Sequence, residues 1–162
     1  MTRAGTAYFV DRLHLLAEAL GVELDEIGFE VEYAQTTEDL DDGSWTVPKG
    51  CVAGLDYRWQ GKVGGRVVFE HRSRLIKGAT LDPDWSSDLQ GGWTVEVTGR
   101  PDVRAAVRLS FDISSMEEFT GLGLVATAMP AVNAIRNVVA ARPGIVTYLD
   151  VDVATARGFV RV

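Results

Sequence analysis

The sequence predicts an α+β fold, with a mostly antiparallel mixed sheet of about six strands and helices packed on one face. Near the start of the chain, Phe9, Leu13, Leu16 and Leu20 recur at helical spacing. From Ile27 onwards the hydrophobic period changes to two, as on half-buried strands. The connections between the later strands are short, and this favours antiparallel pairing because parallel strands need a long crossover.

Turn residues bound each predicted element. The first helix ends at Gly21, where a C-cap glycine is typical, and Gly64-Gly65 predicts a tight hairpin. The predicted strands are Ile27–Tyr33, Ala53–Gln60, Val67–Leu75, Trp93–Val97, Val103–Phe111 and the short, nearly all-apolar Ile145–Val151. Leu81–Gly92 is predicted to be a loop, and residues 1–162 are expected to form a single domain.

The first five strands have one apolar face and one charged face. The charged face carries residues of both signs, namely Glu30, Glu32, Arg58, Glu70, Arg72, Arg74, Glu96, Arg104 and Arg108. Antiparallel sheets allow this division when helices cover one face and water or a partner meets the other. The opposite charges could pair across strands. The face is interpreted either as a solvated surface or as a subunit interface.

A long second helix is predicted from about Leu122 to Ala141, with an apolar stripe and many alanines. A helix this apolar is expected to be deeply buried or closely packed against another element. Pro130 lies inside it and is expected to kink it, because proline removes a backbone donor and clashes with the preceding turn. Arg142-Pro143-Gly144 ends the helix.

Composition and charge exclude several classes of protein. A net charge of −7 argues against sequence-independent binding to nucleic acid. The single cysteine cannot form an internal disulfide, and no cysteine–histidine cluster indicates a metal. The sequence has no unbroken apolar run of about 18 residues and no basic-then-apolar leader. We therefore expect no membrane span and a cytoplasmic location.

No nucleotide-binding motif is present in the sequence. Gly121-Leu122-Gly123 is the nearest candidate for a dinucleotide fingerprint, but it lacks a third glycine at the proper spacing. We interpret it as a loop that opens the second helix. No cofactor site and no catalytic residue are therefore assigned within this chain.

The two histidines, the cysteine and two of the tryptophans are weaker candidates for a site. His14 and His71 lie near the apolar sides of predicted elements, where a histidine is more often hydrogen-bonded in the core than functional. Cys51 is interpreted as a small buried residue at the start of a strand. Trp45 and Trp85 occupy long loops and could line a ligand site. We retain His14 and Trp85 as candidate substrate-binding residues.

Thr127 and Asn133, the polar residues of the apolar helix, are better candidates. Thr127 either holds a polar substrate group near the positive end of the helix or bonds back to its own helix. Asn133 needs a hydrogen-bond partner if it is buried. Met129, from the apolar stripe of the same helix, completes the predicted substrate-binding set.

Several segments carry a resemblance to a known family. They are Ala126–Ile135, Ala140–Thr147, Leu15–Val22, Gly50–Gly54, Pro83–Trp85 and Thr98–Pro101. These segments resemble the C-terminal part of the dihydrodipicolinate-reductase-like oxidoreductases, in the branch of 2,4-diaminopentanoate dehydrogenase and the native amine dehydrogenases. Arg136 and Asp150-Val151-Asp152 depart from the family pattern, which has a proline and Asp-Leu-Pro at these places.

The resemblance implies a two-domain enzyme. An N-terminal Rossmann domain holds NAD(P), and a C-terminal α+β domain completes the substrate pocket and pairs the subunits. Such enzymes reduce an imine or oxidise an amine by hydride transfer at a carbon. This chain would be the second domain, inactive alone or acting with a separate cofactor domain, binding a small molecule and forming a homodimer through its sheet.

Two other functions stay open at this point. A self-sufficient domain could bind a small hydrophobic ligand or act as a cyclase, with a cavity lined by Tyr57, Trp59, Phe69, Trp93 and Phe111. A purely structural pairing module is the third hypothesis. An enclosed apolar cavity would favour the ligand-binding domain, whereas a neighbouring reading frame for a Rossmann domain would favour the dehydrogenase half.

The isolated chain is expected not to bind NAD(P)H, because it has no glycine turn that could receive a pyrophosphate. Titrating the chain into NADPH while following nicotinamide fluorescence should give no saturable change. Saturable micromolar binding at one site per chain would refute this expectation.

Overall fold

The structure is a computed structural model that describes residues 2–41, 43, 45–85, 92–108 and 115–151. The chain divides into two compact units, Met1–Leu109 and Ser110–Val162. The first unit contains the N-terminal helices and all the described strands. The second unit contains the long C-terminal helix.

The strands form antiparallel sheets, as the sequence predicts. In chain order they are β1 (Glu26–Thr36), β2 (Leu40–Asp41), β3 (Thr46–Val47), β4 (Val52–Val63), β5 (Arg66–Ile76), β6 (Leu81–Asp82), β7 (Trp93–Val97) and β8 (Val103–Val107). The main sheet has the order β5–β4–β1–β6. β4 and β5 are joined by the predicted Gly64-Gly65 turn, whose positive φ angles of 56° and 74° suit a two-residue hairpin.

The α+β class is confirmed, but the strands do not all lie in one sheet. Among the strands that the structure describes, β2 pairs only with β3, and β7 pairs only with β8. β6 falls within the predicted loop Leu81–Gly92 and pairs with the end of β1. Two paired residues are too short to show a period of two, so the sequence pattern did not reveal β6. The end of the predicted strand Val103–Phe111 lies outside the described residues.

The N-terminal helices cover one face of the main sheet, as predicted. They comprise α1 (Thr2–Gly5), a 3₁₀ turn (Ala7–Phe9) and α2 (Val10–Leu20). Phe9 and Leu13 are buried against Tyr57 and Trp59, two odd-numbered residues of β4. Gly21 ends α2 in a left-handed conformation with φ 65°, which confirms its predicted role as a C-cap.

The opposite face of the main sheet carries a smaller apolar cluster of Ala34, Leu81 and Trp85. Trp85 lies directly over Gly54, where a Cβ atom would come within 2.7 Å of a ring carbon. Glycine is therefore required at this position for the ring to approach the strand. The even-numbered residues of β4 that follow belong to the same face.

The C-terminal helix α3 spans Met116–Ala140 and begins earlier than the predicted Leu122. The Ser115 side chain accepts a hydrogen bond from the Glu118 amide at 3.2 Å, and Ser followed three residues later by Glu is an N-terminal signal. Gly121-Leu122-Gly123 therefore lies inside the helix, so its interpretation as an opening loop is wrong. Pro130 lies inside α3 as well.

Seven large apolar side chains of α3 are exposed in the single chain, from 38% for Met129 to 81% for Val139. The expected close packing of this helix against another element stays a prediction. Thr120–Ala140 is long and apolar enough to cross a membrane by length and composition alone, although it is not an unbroken apolar run. The core helix of a soluble protein passes the same test, so this property is weak evidence for a span.

The predicted strand Ile145–Val151 is not a strand. Residues 148–150 form a turn, in which the Asp150 carboxylate accepts hydrogen bonds from the amide and the hydroxyl of Thr147. These local bonds give the backbone an alternative to strand pairing. Ile145 is 97% exposed.

His71 lies in the core beneath the helices, on β5. Its ring stacks on Phe9 with centroids 4.2 Å apart. The predicted core position is confirmed, but the expected hydrogen bond is missing, because Nε2 is buried without a partner among the described residues. Burial lowers the pKa of His71, and the positive charge of Arg12 lowers it further.

The free energy of unfolding should therefore fall as the pH drops through the range in which His71 titrates. The unfolded chain protonates this residue near its ordinary pKa of 6.5, whereas the folded chain does so only at lower pH. Between these values the unfolded state binds more protons, so acid favours unfolding. Urea titrations between about pH 7 and about pH 5 should show that the free energy of unfolding falls less with acid for His71→Phe than for the wild type. Parallel curves for the two proteins would contradict this assignment.

Candidate functional site

The two predicted site residues of the first unit lie far apart. Trp85 is buried over Gly54, whereas His14 is exposed on α2. Successive residues of β4 point to opposite faces of the sheet, and α2 packs on the face of Tyr57 rather than that of Gly54. His14 and Trp85 therefore do not share a pocket. The interpretation of His14 as a core histidine is wrong because its side chain is exposed.

The three predicted site residues of the second unit lie on α3. The Thr127 hydroxyl donates a hydrogen bond to the Gly123 carbonyl at 2.8 Å, so this residue does bond back to its own helix. Asn133 is exposed and is not a buried amide in need of a partner. Four residues separate Met129 from Asn133, which places them about 40° apart around the helix. Thr127 lies about 120° from Asn133 by the same geometry.

An open groove of about 550 Å³ lies beside the small β2–β3 hairpin. Its lining is mainly apolar and includes Trp45, Val52, Leu55 and Leu75. The Lys77 ammonium lies 4.1 Å from the centroid of the Trp45 ring, which is a cation–π contact. Trp45 thus lines a groove, and its part in binding a ligand stays a prediction.

The predicted cavity of aromatic side chains is not formed by the described residues. Tyr57 and Trp59 are buried beneath the N-terminal helices, and Trp93 is exposed in the β7–β8 hairpin. Phe111 lies outside the described residues. Cys51 is exposed, so its interpretation as a small buried residue is wrong.

Asp56 is the most unusual polar residue of the charged face. Its carboxylate is buried, with 1% of the residue exposed. Arg72 Nη2 donates to Asp56 Oδ2 at 2.6 Å, and Arg74 Nε donates to the same oxygen at 2.8 Å. The Arg74 guanidinium also lies 4.7 Å from the centroid of the Trp85 ring. A buried carboxylate, two arginines and a tryptophan therefore form one connected cluster.

Opposing effects set the pKa of Asp56. Burial alone would raise it, but the hydrogen bonds and positive charges of Arg72 and Arg74 outweigh burial and lower the pKa below its ordinary value. The carboxylate therefore stays ionised at neutral pH. Such a group holds two guanidinium groups in fixed positions and is not suited to donate a proton.

The other charges of this face pair across strands, as predicted. Arg58 bridges Glu30 and Glu32 at 3.4 and 3.2 Å, and Lys62 pairs with Glu26 at 2.8 Å. These partners lie on neighbouring strands, β4 and β1. The face is thus largely neutralised within the chain, which disfavours a site for a single-sign ligand.

The sequence analysis did not single out Asp56. A signal for it was present, because an aspartate in the middle of a strand is rare. Arg72 and Arg74 follow on the next strand, and the Gly64-Gly65 turn brings Asp56 opposite Arg74. Register counting from the turn alone would set Asp56 opposite Ser73, because an irregularity between Gly61 and Lys62 shifts the pairing by one residue.

Two comparisons bear on the identity of the chain. Residues 2–159 match the model of the 2,4-diaminopentanoate dehydrogenase C-terminal domain. The chain is also 30% identical, over 158 aligned residues, to a protein named amine dehydrogenase from Streptomyces virginiae.

The chain belongs to the family of 2,4-diaminopentanoate dehydrogenase C-terminal domains. This result confirms the resemblance drawn from the sequence. The match to the Streptomyces virginiae protein covers 91% of this chain but only 41% of that relative. The chain thus spans less than half the length of the relative.

The described residues of this family member do not fit a dinucleotide. A pyrophosphate site needs glycines in a turn between a strand and a helix. The nearest glycine pair, Gly121 and Gly123, lies inside α3 instead. The dehydrogenase name of the family is consistent with NAD(P) being held by a separate domain.

Replacing Asp56 by alanine should destabilise the first unit by about 1–3 kcal/mol, because Arg74, which is 19% exposed, loses its counter-charge, whereas water partly compensates Arg72, which is 45% exposed. Urea unfolding followed by tryptophan fluorescence reports on this change, since Trp59 and Trp85 lie in the same unit. Glu96→Ala is the matched control, because Glu96 pairs with Arg104 on an exposed hairpin. It should cost less than about 1 kcal/mol. If both variants lost the same free energy of unfolding, the stabilising role that we assign to the buried Asp56 cluster would be contradicted.

Proposed function

We propose that this chain is the substrate-binding and subunit-pairing half of an NAD(P)-dependent oxidoreductase that acts on amines or imines. The observation that carries the proposal is the match of residues 2–159 to a dehydrogenase C-terminal domain. The length of the amine dehydrogenase relative supports a further part that this chain does not contain. The cofactor belongs to that separate domain or subunit, and the chain is inactive without it.

The substrate-facing residues of the proposal are Thr127, Met129 and Asn133 on α3. Met129 and Asn133 lie on one side of the helix, where a thioether and an amide can contact the apolar and polar parts of a small amine. The exposed apolar surface of α3 supports this choice, because such a surface is normally covered by a partner. The cofactor domain is the partner that we assign to it.

Subunit pairing is assigned to the main sheet, and the assembly is proposed to be a cytoplasmic homodimer. The helices cover one face of this sheet, which leaves its other face and its edges for contact with a partner. The net charge of −7 supports the absence of a nucleic-acid partner.

A self-sufficient ligand-binding domain is the second candidate, and one observation favours it. The open groove beside Trp45 is apolar and large enough for a small molecule. Under this alternative the isolated chain binds an apolar ligand at one site, and Trp45→Ala abolishes that binding.

Joining the chain to a cofactor domain should restore activity. The part of the Streptomyces virginiae protein that holds its cofactor domain, taken from the portion outside the match, would be fused to this chain. Amine-dependent reduction of NAD(P)+ should exceed that of either part alone by about 10²-fold or more, because the substrate is then positioned against the cofactor. The same part joined to the matching region of its own chain is the positive control. An active control beside a folded, inactive fusion that still binds NADPH would contradict the proposed function.

A further inference from the structure

The outer edge of β5 is the surface of this chain that best fits a second copy of itself. β5 stands at the end of the main-sheet order, so none of the described strands pairs with its outer side. It is 11 residues long and contains no proline, and its pairing irregularity lies near its start, opposite Gly61 and Lys62, so the strand is regular from Phe69 onwards. Such an edge presents a row of backbone N–H and C=O groups for pairing.

The pairing with β4 determines which residues present these groups. The Lys77 amide donates to the Ala53 carbonyl at 2.8 Å, so Lys77 faces β4. Backbone direction alternates along a strand, and the odd-numbered residues of β5 therefore face β4 as well. The N–H and C=O groups of Glu70, Arg72 and Arg74 face outwards.

Charge then selects one register for an antiparallel pair of β5 strands. A two-fold axis that passes at one residue of β5 sets even-numbered residues of one copy opposite even-numbered residues of the other. With the axis at Glu70, two glutamates meet, and with the axis at Ser73, Arg72 opposes Arg74. An axis at Arg72 sets Glu70 opposite the partner's Arg74, but it also places Arg72 directly against its own copy, which is a like-charge contact. Only an axis at His71 sets Glu70 opposite the partner's Arg72 on both sides, and opposite charges stabilise directly facing positions.

The outer edge of β1 differs in this respect. No described strand pairs with it over Glu26–Ala34, because β6 reaches only Gln35 and Thr36. Its charged residues are Glu26, Glu30 and Glu32, which are all acidic. No antiparallel register of two β1 strands sets a basic residue opposite a glutamate, and several registers set two glutamates opposite each other, which is destabilising. Charge therefore favours the edge of β5 over the edge of β1 for pairing with a second copy.

We propose that two copies of the chain pair antiparallel along β5, with the two-fold axis at His71 and Glu70 opposite the partner's Arg72. The two main sheets then form one continuous sheet with four strands from each copy. The helix-covered faces lie on the same side, because the axis is perpendicular to the sheet. This inference rests on the subunit pairing in the proposed function and specifies where it occurs.

Light scattering of the full chain at micromolar concentration should give about twice the 17.6 kDa chain mass. Glu70→Lys converts both facing pairs to like charges and should raise the dimer dissociation constant about tenfold or more. Glu23→Lys makes the same change of charge at an exposed position between α2 and β1, and it should leave the dissociation constant unchanged.

Disulfide cross-linking locates the axis. In a Cys51→Ser background, His71→Cys should give a covalent dimer under mild oxidation, because residues on the axis face their own copies. Ser73→Cys is the matched control on the same strand and face. Its copy lies about 13 Å away along the strand, which is beyond the reach of a disulfide.

A monomer at micromolar concentration would overturn both this inference and the pairing part of the proposed function. Two results would overturn the pairing along β5 alone. One is a dimer whose dissociation constant does not change with Glu70→Lys, and the other is a dimer that cross-links through Ser73→Cys instead of His71→Cys. If His71→Cys does not fold, the comparison of Glu70→Lys with Glu23→Lys decides the matter. An open series of larger assemblies would also overturn the inference, because a two-fold contact closes on itself.

Discussion

The central strand β4 must satisfy two different environments at once, and the rest of the first unit depends on this constraint. β4 lies between β5 and β1, so its backbone is paired on both sides and only its side chains can adapt. Its odd-numbered residues Tyr57 and Trp59 enter the apolar core. Its even-numbered residue Asp56 enters the charged cluster with Arg72 and Arg74. A shift of one residue would exchange these two environments.

The same constraint explains why the charged face of the main sheet is not simply a solvated surface. A buried carboxylate is tolerated only when cations and hydrogen bonds replace its hydration. Arg72 and Arg74 provide both, and Trp85 covers Arg74 on the other side. The cluster therefore joins β4, β5 and the segment after β6. It gives this end of the sheet a fixed register, which is a structural role rather than a catalytic one.

Each of the two units has large apolar side chains that are exposed in the single chain. α3 exposes a long apolar surface, and the β7–β8 hairpin exposes Trp93, Val95 and Val97. Two-stranded hairpins and apolar helices are rarely stable in water without a cover.

The sequence by itself determined the α+β class, the long strands, the β4–β5 hairpin and the family. These features depend on local periodicity, turn residues and motifs, all of which can be read within one segment. The tertiary structure decided which strands share a sheet and that His14 and Trp85 lie on opposite faces. It also decided that Asp56 is buried, because burial depends on segments that are distant in sequence. The turn near Asp150 replaced a predicted strand for the same kind of reason: side-chain hydrogen bonds competed with an apolar pattern that had no neighbouring strand to join.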